Sequence, residues 1–437
     1  MRHKVARCLG GLGISLILLL SLGCGLWRGG NAAEGSPTAT PLPTATSSPT
    51  AIPPETPPSP TPTPTATPTP SEEDEIGNLL GGMTLEQKIG QMILAGVEGT
   101  SIDTATKKMI SDQHVGGIIL YKNNFSGLSG SVRFVNALKK ANEGNPAPLF
   151  ISVDQEGGKV SRLPKDFVSI PDAAKVGRTG NAELAKEMGS LLSKELKLMG
   201  FNVDFAPVLD INSNPKNPVI GNRSFGSTAK LVTKMGIAEM IGLREGGTIA
   251  VVKHFPGHGD TAVDSHLDLP VVNKTTEQLG KMEWIPFRSA IENGADAVMI
   301  AHILFPKIDP DAPASFSKVI IGEQLRGTLG YDGVVITDDM TMGAIADNYG
   351  IEDAAALSVE AGSDIILVAH GYDTEKKVFD KLMQAVKSGR IEESRIDQSV
   401  RRILALKLKY ELSDKMIPIP TIGDLPNEEI RQWLEKL

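Results

Sequence analysis

Cysteine is almost missing from this chain: of 437 residues only Cys8 and Cys24 carry a thiol, and both fall within the first 24 positions. Everything downstream therefore lacks the means for a disulfide scaffold or a cysteine-based zinc site. Also missing is any basic block. Lys and Arg total 44 against 52 Asp and Glu, a formal net charge of −8, so nothing offers the phosphate footprint of a nucleic-acid binder. Charge of either sign is absent from residues 8–27, and from 35–70 apart from Glu55. These two gaps set a leader and a spacer apart from the rest. The chain is 41% hydrophobic and 22% charged, apolar enough for a core, which excludes wholesale disorder. Its length fits two or three domains, or one large α/β barrel.

Arg2, Lys4 and Arg7 precede an uncharged run centred on Leu16-Ile17-Leu18-Leu19-Leu20, the form of an export signal. Within it, Leu20-Ser21-Leu22-Gly23-Cys24 resembles a bacterial lipoprotein signal, with Ser21 where that pattern has Leu. The resemblance implies a signal over residues 1–24 and lipidation of Cys24. An uncleaved anchor is the alternative, since the 20 uncharged residues of 8–27 are just long enough to span a bilayer. Either way the charge rule places the remainder outside the cell, anchored to the outer face of its membrane. Residues 25–74 read as a disordered Pro/Thr-rich linker. Thirteen of the 36 residues in 35–70 are Pro, which removes backbone donors and forbids a helix. Such a spacer reaches at most about 110 Å at 3.1 Å per residue and lets an anchored domain search a volume of cell wall.

From residue 75 to about 412 the pattern becomes globular, with 413–437 a short tail. Short apolar runs at 92–97, 117–121, 149–153, 203–209, 249–252, 297–301, 333–337 and 364–368 alternate with helical patterns such as 132–141, 182–198 and 276–292. Most runs are rich in Val, Ile and Leu without strict alternation, as parallel strands buried on both faces should be. Eight such repeats predict a single α/β domain, a (β/α)8 TIM-like barrel. Polar residues end most of the strands: Asp154, Asp210, Lys253 with His254, His302, Asp338 and His370. In a barrel these ends converge on one mouth. Helix capping explains any one of them, but six of eight is harder to assign to caps.

The densest stretch runs from Lys253-His254-Phe255-Pro256-Gly257-His258-Gly259-Asp260 through Asp264-Ser265-His266, with three of the seven histidines in 13 residues. His254 and His258 have the i, i+4 spacing of helical zinc ligands, yet Pro256-Gly257 between them opposes a helix. A loop could still gather imidazoles around a metal. A different division of labour fits better. Lys253 and His254 at the strand end can donate to substrate hydroxyls. Asp264 and His266 form an Asp-x-His pair in which the carboxylate fixes the tautomer and supports the imidazolium. With a reference pKa of about 6.5, such a His can give and accept a proton near neutrality. The run Val334-Val335-Ile336-Thr337-Asp338-Asp339 ends a strand in adjacent carboxylates. Successive strand residues face opposite ways, so one Asp can serve as a nucleophile while the other braces the next helix. A carboxylate nucleophile with a separate acid/base is what retaining glycoside hydrolysis requires.

The segment 253–266, Lys-His-Phe-Pro-Gly-His-Gly followed by Asp264-Ser265-His266, closely resembles bacterial family 3 glycoside hydrolases of the β-N-acetylglucosaminidase type. The similarity extends to Asp154-Gln155-Glu156-Gly157-Gly158 with Arg162, to Asn222-Arg223-Ser224-Phe225 and to Thr337-Asp338, and spans about 80 to 410. It implies a (β/α)8 barrel in which Asp338 attacks the anomeric carbon and His266, partnered by Asp264, is a general acid/base on a mobile loop. Asp154, Arg162, Arg223, Lys253 and His254 would contact the terminal sugar. No metal or organic cofactor is expected. The expected partners are a terminal β-linked N-acetylglucosamine substrate and the membrane, through the N-terminal anchor; the expected state is a monomer. Some family members add a second domain, and the 27 residues after Tyr410 predict that this chain does not, with 427–437 forming one short helix. The competing expectations are a β-glucosidase, a family phosphorylase using phosphate in place of water, a metal-dependent hydrolase, and a non-catalytic wall-binding lipoprotein.

Overall fold

The computed structural model describes residues 72–437; the leader, Cys24 and the spacer up to residue 71 lie outside the described residues. Eight short strands carry the architecture: β1 Ile93–Gly96, β2 Gly117–Ile119, β3 Phe150–Val153, β4 Val203–Asp204, β5 Ile249–Phe255, β6 Ala297–Ile300, β7 Val334–Thr337 and β8 Ile366–Val368. All pairings are parallel and follow chain order from β1 to β7, while β8 returns to pair with β1. Every strand residue is buried, because helices cover the outside and side chains fill the inside. The expected (β/α)8 barrel is the fold.

The helices form for local reasons. Ala182–Met199 starts where the Asn181 side chain accepts the Glu183 N–H, and it ends at Gly200 in the left-handed region, where the absence of a Cβ removes the penalty. Leu184, Met188, Leu191, Leu192 and Leu196 fall at three- and four-residue spacing and are buried, the stripe that faces a barrel wall. The helix expected over 276–292 is two pieces, Thr276–Gly280 and Trp284–Glu292. Pro286 cannot donate to the carbonyl four residues back, at Met282; the chain turns there instead, with Ile285 N bonding Met282 O at 3.1 Å. The tail helix, Asn427–Leu434, is firmly packed: Ile430 and Trp433 are fully buried, and Trp433 Nε1 donates to Leu184 O.

Two strands depart furthest from their expected lengths. β4 spans two residues only; past it Phe205 N still bonds Val153 O, and a single bridge, Val208 to Lys253, continues the pairing beyond Pro207, which has no N–H to give. β5 runs past Val252 to Phe255, with a register shift against β6 between those residues. Lys253 and His254 are therefore strand residues, held on a rigid element at the mouth.

Inside the lower barrel, Leu94, Phe150, Val203, Val251 and Ile336 meet around a void of only about 10 Å³, closed below by Leu406. The ring is completed between β7 and β8 in an unusual way. Main-chain bonds run from Thr337 N to Ile365 O and from Ile365 N to Val335 O. Two side chains stand in for carbonyls: Asp364 Oδ2 accepts Val335 N at 3.0 Å, and Thr337 Oγ1 accepts Leu367 N at 3.0 Å. The fully buried Asp364 carboxylate is also bonded by Arg326 at 2.6 Å and Ser399 at 2.7 Å, with Arg395 and Arg402 within 3.5 Å. Removing it leaves a buried N–H and three guanidiniums without their shared partner. Asp364→Ala should lower the unfolding free energy by about 3–5 kcal/mol, read from urea denaturation curves, whereas Asp353→Ala on the exposed rim should change it by under about 1 kcal/mol.

Candidate active site

The C-terminal ends of the strands surround a pocket of about 240 Å³. Phe205, Met299 and Leu367 supply apolar lining, while Asp154, Arg162, Arg223, Lys253, His254, His266 and Asp338 supply nearly all its charge. The residues expected at the site thus do come together, with one distinction. Asp264 lines an adjoining recess of about 420 Å³, which shares Val160, Val219, Arg223 and His266 with the pocket. His266 stands between the two spaces.

One side of the pocket is a chain of charge-assisted bonds. Lys253 Nζ lies 2.6 Å from Asp154 Oδ1 and 2.7 Å from Glu156 Oε1. Glu156 in turn takes a two-pronged contact from Arg223, Nε at 2.8 Å and Nη2 at 2.7 Å. Arg223 Nη2 also approaches His254 Nε2 at 3.4 Å. Burial opposes the charge on Glu156, but Arg223 and Lys253 outweigh it and hold its carboxyl far below the usual range. Burial likewise opposes the charge on Lys253, and Asp154 and Glu156 keep the ammonium protonated. Among the described residues the buried Arg162 Nε finds no acceptor, a donor left for a ligand.

His254 is oriented from below. Its Nδ1 lies 2.6 Å from Asp210 Oδ2, and Asp210 Oδ1 accepts the His258 N–H at 2.6 Å. Asp210 is fully buried; the penalty on its charge is overcome by His254 and His258, so its carboxyl sits below the ordinary value. Asp210, six residues past the end of β4, and His302, two past β6, do not line the pocket; they brace residues that do. His302 Nε2 donates to Asp339 O at 3.0 Å and Ser315 Oγ meets its Nδ1 at 2.8 Å. Burial lowers the His302 pKa.

The adjacent carboxylates divide their work as strand alternation requires. Asp339 is a brace: Oδ1 accepts from Thr341 N and Ala369 N, and Oδ2 from Thr341 Oγ1 at 2.7 Å. Among the described residues Asp338 accepts one hydrogen bond, from Asp339 N at 2.9 Å. Burial resists its charge, but the His302 and His254 rings and that N–H prevail and hold it below the usual carboxylate range. Asp338 is an ionised, lightly hydrogen-bonded carboxylate facing a pocket.

Asp264 Oδ1 accepts both the backbone N–H and the ring Nδ1–H of His266, each at 2.9 Å. That fixes Nε2 as the free nitrogen. The His266 side chain is 64% exposed, whereas His254 and His258 are buried. Among the described residues no three His, Cys, Asp or Glu side chains converge as metal ligands. The spacing of His254 and His258 that suggested zinc instead serves Asp210. Sequence reasoning gave no catalytic or sugar-binding role to Glu156, Asp210 or His258. Glu156 could have been found, since it stands inside the Asp154–Gly158 motif; the other two act only through a fold that brings β4 beside β5.

A (β/α)8 mouth with a lightly hydrogen-bonded carboxylate, a carboxylate-held His and a polar pocket is chemically equipped for nucleophilic displacement with acid/base assistance. Comparison with known proteins specifies it. Residues 84–406 match the N-terminal domain of glycosyl hydrolase family 3. Over 351 residues the chain is 34% identical to beta-hexosaminidase A of Pseudoalteromonas piscicida, covering 74% of this chain and 59% of that protein. It is 36% identical over 299 residues to the beta-hexosaminidase of Thiobacillus denitrificans, covering 66% of this chain and 81% of the relative. A solved family 3 beta-N-acetylglucosaminidase from Paenibacillus sp. str. FPU-7 superposes with a TM-score of 0.79 at 45% identity, covering 81% of this chain and 68% of that one. The chain belongs to glycosyl hydrolase family 3, a family of glycoside hydrolases.

The ionic chain generates a stability prediction with a sign. Glu156 has a folded pKa below its unfolded value, so its contribution is present above about pH 4.3 and lost as pH falls further. Glu156→Gln should be less stable than the parent at pH 7 by about 3–5 kcal/mol. It should also lose less stability than the parent between pH 5 and pH 3, read by chemical denaturation at each pH.

Proposed function

We propose that this protein is a retaining, exo-acting β-N-acetylglucosaminidase that releases terminal β-linked N-acetylglucosamine from wall-derived or other glycans. The observation that carries the reading is that Asp338 and His266 line one pocket, with His266, held by Asp264, also facing the adjoining recess. The terminal sugar occupies the pocket, held by Asp154, Arg162, Arg223, Lys253 and His254, and the leaving group occupies the recess. An Asp338 oxygen attacks C1 while the glycosidic oxygen takes a proton from His266 Nε2, giving a glycosyl ester and the free alcohol. Water then attacks C1, passing a proton to Nε2, and the Asp338 carboxylate departs. Asp264 stays ionised throughout: burial works against it, but the backbone and ring N–H groups of His266 hold its carboxyl below the usual range. The names of the family relatives support the choice of an N-acetylhexosamine substrate. The N-terminal signal pattern supports action outside the membrane, on an anchor at Cys24.

Asp338→Asn should reduce turnover of nitrophenyl β-N-acetylglucosaminide by at least about a thousandfold with an unchanged melting curve. A slow fluorinated analogue should leave a sugar-sized mass on the peptide containing Asp338, and a label on another residue overturns the assignment. His266→Ala should depress kcat/KM chiefly for poor leaving groups; equal losses for dinitrophenyl and alkyl aglycones would remove His266 from the acid role. Running the same panel with water and with phosphate distinguishes hydrolysis from phosphorolysis, and a glucoside preference would replace the substrate reading.

A further inference from the structure

The third histidine of the dense stretch, His258, touches neither the sugar-binding ion chain nor Asp338, yet it is fully buried and every polar atom of it is engaged. Its Nδ1 lies 2.8 Å from Thr261 Oγ1 and its Nε2 lies 3.1 Å from Ser265 Oγ. A neutral imidazole has one donor and one acceptor nitrogen, so the ring bonds both hydroxyls at once.

Ser265 sits between the two residues of the acid/base pair. It is buried, whereas the loop around it is open: Leu267 is 74% exposed, and Val263 and His266 are exposed as well. A second contact pins the same three residues from the other side. Ala344 N donates to Ser265 O at 3.1 Å, and Gly343 N to His266 O at 3.3 Å. Those amides open the helix Gly343–Ala346, a few residues past Asp338. The fit leaves no room for a side chain, since a Cβ on Gly343 would lie 2.8 Å from His266 O and 3.0 Å from Leu267 O.

We propose that His258 is a positioning residue: its Nε2, bonded to the Ser265 hydroxyl, together with the Gly343 and Ala344 amides, seats the Asp264–His266 segment on the nucleophile-bearing segment. The inference rests on the proposed acid/base role of His266, and it says why one loop can be exposed yet place a proton donor to within the tolerance that proton transfer needs. Burial, with the His254 ring beside it, pushes the His258 pKa down to about 4, so the ring stays uncharged near pH 7 and the bond does not depend on its ionisation. The seat also ties the two catalytic segments to each other, without a contact between the reacting groups themselves.

Two variants attack the seat from opposite sides. Ser265→Ala removes the hydroxyl bonded to His258 Nε2, and Gly343→Ala crowds the carbonyls of His266 and Leu267. The measurement is kcat/KM across nitrophenyl, dinitrophenyl and alkyl β-N-acetylglucosaminides, a series that reports the acid step alone. Both variants should lose about ten- to a hundredfold on alkyl aglycones and under about threefold on dinitrophenyl, copying in milder form the profile of His266→Ala. Uniform loss across the series, or no loss in Ser265→Ala, overturns the seat while His266→Ala retains its graded profile. A flat profile in His266→Ala itself would instead show that the acid/base reading has failed.

Discussion

The structure depends first on closing the ring between β7 and β8. Six neighbouring pairs along the sheet are ordinary parallel ladders, and β8 adds to β1 in the same way. The last seam has an isolated bridge, Ile336 to Ile365, flanked by main-chain bonds from Asp364 N to Val335 O and from Met340 N to Leu367 O, and it is completed by two side chains, Asp364 and Thr337. Without closure the strand ends would splay along a twisted sheet. With it, Asp154 on β3, Lys253 on β5 and Asp338 after β7 share one pocket of monosaccharide scale. A buried carboxylate at the bottom of the barrel, reached by three arginines, therefore helps to make a mouth at its top.

At that mouth, electrostatics is arranged in layers. Positive groups and carboxylates alternate along Asp154, Lys253, Glu156 and Arg223, so each buried charge has a partner and the donors stay in one orientation. Beneath them Asp210 fixes two histidines at once. The nucleophile candidate is treated differently: Asp338 has a single protein donor, whereas its neighbour Asp339 has three. A carboxylate saturated by hydrogen bonds is a poor nucleophile, and the difference between the two aspartates lies in their surroundings, not in their chemistry. The Asp264–His266 pair is the exposed counterpart to this rigid set.

Much of this was legible before the fold was known. Apolar runs of Val, Ile and Leu located all eight strands, because parallel strands buried on both faces leave that signature. The gathering of polar residues at strand ends located the mouth. The failures have local causes. Pairing past β4 narrows to a single bridge around Pro207, Pro286 split the helix expected over 276–292, and β5 continued through the two residues taken to follow it. Asp264, expected as the partner of His266, holds that ring from the neighbouring recess.

What the order of residues determined by itself was the set of parts: eight strands, a carboxylate pair after the seventh, an Asp-x-His after the fifth, and a charged motif after the third. These are properties of neighbours along the chain, written in periodicity and spacing. What only the tertiary structure decided was which parts meet. That Glu156 lies between Arg223 and Lys253, that Asp210 supports His254 and His258, and that Ser265 hangs from His258 are all contacts across loops or strands. Such contacts follow from ring closure and strand register, which depend on the packing of the whole chain and leave no local mark.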